Sequence, residues 1–257
     1  MGTALVAGAV RAGTIDPSLV TGYDPGAEAS QAFQRTTGAG IAGSLTDLVT
    51  NTDRLLLCTR PQDVPEAIAT VAAAAGQPVS MISIAAGVTT TALETALPTG
   101  SSVIRCMPNT PALVDKGAAA YCAGAHANEA DLQFAKQLLD SVGLALEVSE
   151  SLMDTVTGLS GSGPAFVFLM IEALADGGVN CGLTRQQALQ LSAQTVFGAA
   201  AMVLETGEHP AVLRDRVSSP GGTTIAGLAE LERRGLRAAL IYAIEAAAKR
   251  SAELGTG

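Results

Sequence analysis

The sequence predicts an α/β protein of two domains: a doubly wound domain over residues 1–149, followed by an all-helical domain over residues 150–257. Three observations carry this. The first 149 residues alternate short, continuously apolar runs with helical stretches; strand signals stop at about Glu150; and 257 residues with 48% hydrophobic and only 15% charged content hold more apolar material than one simple core buries.

Taken in order, the chain opens directly in a helix at Met1-Gly2-Thr3, with no strand before it. The runs SLVTGY (18–23), RLLLCT (54–59), VSMISI (79–84) and SVIRCM (102–107) have strand length, and segments 28–36 and 61–75 between them have helical composition or spacing. Consecutive rather than alternating apolarity suits strands buried on both faces. Strand-helix alternation then gives a parallel sheet with right-handed crossovers, a Rossmann-like layout whose first strand is missing. Beyond Glu150, GPAFVFLMIEALADGG is expected to start a helix at Pro164 and stop at Gly177-Gly178. A second helix is expected from an N-cap at Thr184 to Gly207. Residues 193–204 are apolar nearly all round, so this domain is expected to bury them against a second copy, as a helical homodimer.

Composition narrows the function. A formal net charge of -9 argues against nucleic acid and anionic membranes, which need basic patches, and favours a small-molecule substrate. The cysteines at 58, 106, 122 and 181 have no C-x-x-C spacing and read as reduced and buried. The apolar start is too short to span a bilayer and lacks an export signal's charged start and cleavage site, so the expected location is cytoplasmic. With only His126 and His209, neither a multi-histidine metal site nor a triad is expected.

A doubly wound domain ahead of a helical one suggests a dinucleotide enzyme, whose pyrophosphate sits at the first strand-to-helix turn. Only Gly2 stands there, as a fingerprint glycine or as a packing glycine. Tyr23-Asp24 ends the next strand, where Asp24 reads either as a ribose-hydroxyl acceptor or as a turn residue before Pro25. GLSGSG (158–163) has the wrong spacing and no leading strand, and reads as a loop of close backbone approach. In SSPGGTTIAG (218–227), Gly221 and Gly222 expose backbone at the start of a helix near Thr223, a site suited to a small carboxylate. One of Thr223 and Thr224 could cap that helix while the other offers its hydroxyl to the ligand, or both could merely cap. Glu172 and Asp176, and the Arg214, Asp215, Arg216 cluster, read as packing or solvated groups.

VSSPGGTTIAGLAELERRG resembles the C-terminal signature of the pyrroline-5-carboxylate reductase family. The resemblance continues through CTRPQD (58–63), SIAAGVT (83–89), RCMPNTPALV (105–114), GLSGSGPAFVFLMIEALADGGV (158–179) and AAAMVLETGEHPAVLRD (199–215), in unbroken order from Met1 to about residue 254. It implies hydride transfer from a reduced nicotinamide to the C=N carbon of 1-pyrroline-5-carboxylate, giving L-proline. It also implies that the substrate carboxylate lies on the amides of residues 219–224, with Ser219 assisting and the Thr224 hydroxyl beside the ring nitrogen. Thr59, Arg60 and Pro61 would lie along the cofactor, as would Ala85, Ala86 and Gly87, with Pro108 and Asn109 near the nicotinamide. The family implies NADPH. Its usual Val-Lys-Pro stands here as Thr59-Arg60-Pro61, and Asp24 would repel a 2'-phosphate, which leaves NADH open.

Family members place a strand ahead of the first helix. Its absence is expected to leave two neighbouring strands with unpaired edges and to weaken cofactor binding, and points to a working protein with an earlier start. Two other readings stand: a non-catalytic dimeric scaffold, and a β-hydroxyacid-type dehydrogenase, whose helical-domain lysine has no counterpart in residues 150–248.

Overall fold

The computed structural model describes residues 1–255. It divides into two compact units, one of Met1–Ser162 joined by the residues from 245 on, the other Gly163–Ile244. Residues 150–162 thus pack with the first unit, although strand signals have ended by then.

The first unit opens with α1 (Gly2–Arg11), followed by β1 (Thr21–Gly22), α2 (Ala27–Thr37) and β2 (Gly40–Ile41). It continues through α3 (Leu45–Thr50), β3 (Arg54–Leu57), α4 (Val64–Ala74), β4 (Ser80–Ser83), α5 (Thr90–Ala96) and β5 (Ser102–Met107). The last elements are β6 (Gly117–Ala123), α6 (Glu129–Asp140), β7 (Gly143–Glu147) and the short α7 (Met153–Val156). A five-stranded sheet runs in the order β3-β4-β5-β6-β7, while β1 and β2 pair parallel in a separate sheet. The sheet is thus split in two, and β1 and β3 each have one unpaired edge, as do β2 and β7.

Both faces of the larger sheet are covered, as its consecutive apolar residues require. On β5, Val103 joins Leu57, Ile68 and Met81 on one side, while its neighbour Ile104 joins Leu5, Leu138 and Leu139 on the other. Each such side chain contributes about 1.5–3 kcal/mol by leaving water.

Several expectations need correction. The run 18–23 yields a strand only at Thr21–Gly22, because Asp16 caps a 3-10 turn at Pro17–Leu19, accepting from the Ser18 amide at 2.9 Å. The strands β2, β6 and β7 were not anticipated. Alanine fills most of β6 (GAAAYCA), giving little β-branched signal, and β7 exposes Leu144 and Leu146. The sheet is also not wholly parallel: β6 runs antiparallel to β5, the 3-10 segment Thr110–Val114 lying in the connection between them. Cys106 and Cys122 are buried, but Cys58 and Cys181 are exposed residues.

The second unit is helical: α8 (Gly163–Asn180), α9 (Arg185–Thr206), α10 (Pro210–Arg216), α11 (Thr223–Arg233) and the first part of α12 (Leu236–Gly255). Thr184 and Gln187 form the capping box that starts α9, and Gly207 ends it at φ 65°. By contrast, α8 passes straight through Gly177-Gly178. A Cβ on Gly178 would stand 3.1 Å from the Ala188 Cβ, so that glycine lets α9 approach, and Gly182, at φ 105°, lies in the turn after the helix ends. GLSGSG is not a loop either. Thr157–Gly161 forms a π-helical turn leading into α8. Phe168, Phe197 and Leu204 are 62%, 57% and 76% exposed, and residues 150–180 include a stretch long and apolar enough, by length and composition, to cross a membrane.

Candidate active site

The parallel strands β3, β4 and β5 all end at the same edge of the sheet, and the segments that follow them carry most of the anticipated cofactor positions. Thr59, Arg60 and Pro61 come after β3, Ala85, Ala86 and Gly87 after β4, and Pro108 and Asn109 after β5. The carboxyl edge of such a sheet is where ligands of doubly wound folds sit. Gly2 joins this edge at the first turn of α1, since a Cβ on it would lie 2.7 Å from Cys58 Sγ. Cys58 is an exposed residue, yet its sulfur lies close against that glycine and desolvation there raises its thiol to about 12.

These residues differ in how committed they are. Thr59 Oγ1 is buried and has no hydrogen-bond partner, an acceptor and donor waiting for one. No side chain caps α1, so its first amides are open to an anion. Arg60 is exposed and already donates from Nε to Asp63 Oδ2 at 2.8 Å, which leaves its two terminal nitrogens available. Asp24 turns Oδ1 onto the Gly26 amide at 2.8 Å, behaving as the turn residue of the alternative reading, while Tyr23 is partly exposed beside it. Gly87 holds φ 76° and is buried.

Asn109 is fully engaged by backbone. Its amide nitrogen donates to the Ser160 carbonyl at 3.0 Å, and its oxygen accepts from the Ala118 amide at 2.9 Å. This fastens the turn after β5 to the π-turn, and Met107 presses on the same turn, because a Cβ on Gly161 would come within 2.6 Å of Met107 Cε. Sequence reasoning treated GLSGSG apart from RCMPNT; only the fold reveals that they form one structure.

Behind the edge lies a charged network that sequence reasoning missed entirely. Arg105, 4% exposed, lies 3.3 Å from Glu150 and 3.9 Å from Asp154. Burial works to raise the Glu150 carboxyl, but hydrogen bonds from the Thr90 hydroxyl and amide, with Arg105, outweigh it and hold the group below its usual range. Asp131 is similar: burial opposes ionisation, and Ser102, Ser80, the Asn128 amide and Arg54 prevail. Apart from the Asn128 amide, three residues from Asp131 in the capping box of α6, the partners are 29–77 residues apart, and nothing short of the fold would have paired them.

In the second unit, α11 starts at Thr223 with Gly222 as N-cap and no side-chain cap. Neither threonine therefore caps this helix, contrary to the expectation that one or both would. Gly221 sits at φ 66°, and the Gly222 amide closes a turn on the Ser219 carbonyl at 3.0 Å. Ser219, Gly221 and Thr223 are exposed and Gly222 and Thr224 half-buried, so the first amides of α11 lie in one short segment with three hydroxyl-bearing residues. Such an arrangement suits a carboxylate, favoured by the positive helix end. Asp176 is ion-paired with Arg185, and Arg216 with Glu208 at 2.6 Å, consistent with structural roles for both clusters. No group of three or more metal-ligating side chains occurs among the described residues.

Comparison with known proteins agrees with this layout. Residues 150–254 match the family model for pyrroline-5-carboxylate reductase dimerisation, and residues 1–87 match that for NADP oxidoreductase, coenzyme F420-dependent. A pyrroline-5-carboxylate reductase of Methanosarcina acetivorans is 44% identical over 99% of this chain and 94% of its own length. One from Arabidopsis thaliana is 42% identical over 99% and 92%. The crystal structure of the Plasmodium falciparum pyrroline carboxylate reductase with NADP bound superposes with a TM-score of 0.88 at 30% identity, covering 99% of this chain and 94% of that one. With full-length identity at this level, and both halves of the fold accounted for, the chain belongs to the pyrroline-5-carboxylate reductase family.

Proposed function

We propose that this chain reduces the C=N bond of 1-pyrroline-5-carboxylate to give L-proline, with NADPH as the hydride donor. The observation that carries the reading is identity of 44% with a reductase of that name along essentially the whole chain. The chemistry available at the two sites agrees with it.

The residues fit a dinucleotide. Thr59 Oγ1 is an orphaned buried hydroxyl at the carboxyl edge of the sheet, and the α1 helix has no side-chain cap over its first amides. Gly2 and the α1 amides would receive the pyrophosphate, Tyr23 and Asp24 the adenosine ribose, and Thr59, Arg60, Pro61, Ala85, Ala86 and Gly87 the length of the cofactor. Pro108 and Asn109 would border the nicotinamide, Asn109 chiefly by fixing the turn. When bound, the cofactor supplies a hydride to the imine carbon.

The protein's share is positioning. Ser219, Gly221, Gly222, Thr223 and Thr224 form the segment that holds the substrate carboxylate, on the amides left free by the Gly222–Ser219 turn, and the Thr224 hydroxyl bonds the ring nitrogen. A protonated imine is already electrophilic, so no strong acid or base is required. Fixing its carbon opposite the hydride contributes several kcal/mol of the rate enhancement, up to about 7–11 kcal/mol in well-oriented systems. The absence of lysine from residues 150–248 removes the general acid a β-hydroxyacid-type enzyme would need.

We assign cofactor binding to residues 1–149 and dimerisation with substrate binding to residues 150–257. The exposed Phe168, Phe197 and Leu204 support subunit packing as the destination of this apolar surface, giving a homodimer; all four cysteines are free, which suits the cytoplasm. The test is NADPH oxidation followed at the nicotinamide absorbance band with pyrroline-5-carboxylate, proline being identified as product. Absence of turnover in a protein that binds NADPH would refute the reading.

A further inference from the structure

The last turn of α12 belongs to the first unit and packs there on the loop after β4. Ser251, 3% exposed, donates its hydroxyl to Asp154 Oδ1 at 2.7 Å. Four residues later Gly255 abuts Gly87 so closely that a Cβ on Gly255 would stand 2.5 Å from the Gly87 carbonyl oxygen. A Cβ on Gly87 would in turn stand 3.2 Å from the Gly255 nitrogen. Backbone meets backbone: a side chain on Gly255 has no room, and one on Gly87 would be tight as well as strained at φ 76°.

The same loop is held at its other end. Thr90 donates both its amide, at 2.7 Å, and its hydroxyl, at 2.6 Å, to the Glu150 carboxylate. Arg105 lies between the carboxylates of Glu150 and Asp154, so one buried guanidinium stabilises the anchor at Thr90 and the anchor at Ser251 together. Residues 85–90 are thereby suspended between two fixed points, one of which is supplied by a segment more than 160 positions further along the chain.

We propose that Ser251 and Gly255 are positioning residues for dinucleotide binding: the end of α12 sets the 85–87 loop in the conformation that receives the cofactor. This rests on assigning that loop to the cofactor. A loop already held in place loses less conformational freedom when a ligand binds, and the difference appears as affinity. Neither residue touches the ligand, and both act through Gly87.

The test compares Gly255→Ala, Ser251→Ala and the control Lys249→Ala on the same helix, in the full chain. NADPH binding is followed by nucleotide fluorescence, amide hydrogen exchange of residues 85–90 is measured without nucleotide, and KM for each substrate is determined. Gly255→Ala is expected to raise the NADPH dissociation constant about fivefold, the equivalent of about one hydrogen bond. It should also speed exchange at 85–90, raise the KM for NADPH and leave the KM for pyrroline-5-carboxylate unchanged. Ser251→Ala should shift the same three quantities the same way, and Lys249→Ala none of them. A folded Gly255→Ala protein with wild-type NADPH affinity and wild-type exchange overturns the proposal, as does an equal rise in both KM values. If Gly255→Ala does not fold, Ser251→Ala decides by the same criteria. Failure of the wild-type chain to bind NADPH would instead refute the functional assignment, and this proposal with it.

Discussion

Replacing Thr224 by alanine separates a catalytic hydroxyl from a structural one. In the structure this hydroxyl caps nothing: α11 takes Gly222 as its N-cap without a side-chain hydrogen bond, and Thr224 is half-buried in the first turn. Folding therefore loses no hydrogen bond, and alanine has a higher helix propensity than threonine, by less than about 0.7 kcal/mol. The melting temperature should stay within a few degrees of wild type or rise slightly. If the hydroxyl bonds the ring nitrogen of a charged imine, its loss costs about 1.5–3 kcal/mol, or roughly tenfold to a hundredfold in kcat/KM at about 1.4 kcal/mol per decade. The assay is steady-state NADPH oxidation over a range of pyrroline-5-carboxylate, with thermal unfolding measured on the same preparation. A melting temperature lowered by several degrees with kcat/KM nearly intact would refute the reasoning, showing that Thr224 supports the helix and not the substrate.

Three further outcomes are expected. Asp24→Ser keeps a short acceptor for the Gly26 amide while removing a carboxylate, so NADPH should bind more tightly relative to NADH by about threefold or more; an unchanged ratio of dissociation constants would show that Asp24 lies away from the 2'-position. Because the carboxyls of Asp131 and Glu150 are held below their ordinary values, they contribute stability that is complete above the unfolded range near 4–4.5 and is lost as pH falls through their lower folded values. Urea midpoints measured from pH 6 to 3 should fall less steeply for Asp131→Asn than for wild type, and parallel curves would contradict this. The Cys58 thiol, raised to about 12 by burial against α1, should alkylate slowly at pH 8 in the native state and readily in denaturant; rapid native labelling would mean that α1 does not cover it.

The sequence read well where one kind of signal dominated. The run SVIRCM corresponds to β5 residue for residue, and Thr184 and Gly207 bound α9 as their capping chemistry requires. It failed where tertiary contact overrode local preference. Gly177-Gly178 looks like a helix stop, yet Gly178 serves the packing of α8 on α9. The two-residue strand β2 exists only because β1 pairs with it, and β6 carries alanine where a strand usually shows branched residues. Most of the candidate cofactor positions could be named from short motifs, which the fold places in the segments after β3, β4 and β5. The Arg105 network could not be, because pairs so far apart have no sequence pattern, and the role of Asn109 as a fastener emerged only with the Ser160 carbonyl in place.

That fastener gives the enzyme a chemical clock. Hydrolysis of the Asn109 amide to a carboxylate would set two acceptors against each other across the 3.0 Å now spanned to Ser160. One oxygen-for-nitrogen exchange would then pry apart two segments that lie 51 residues apart in the chain. Old molecules would lose the shape of the turn after β5 and some stability with it, so a proline-making activity that fades in stored protein together with a lowered melting temperature has a specific place to be sought.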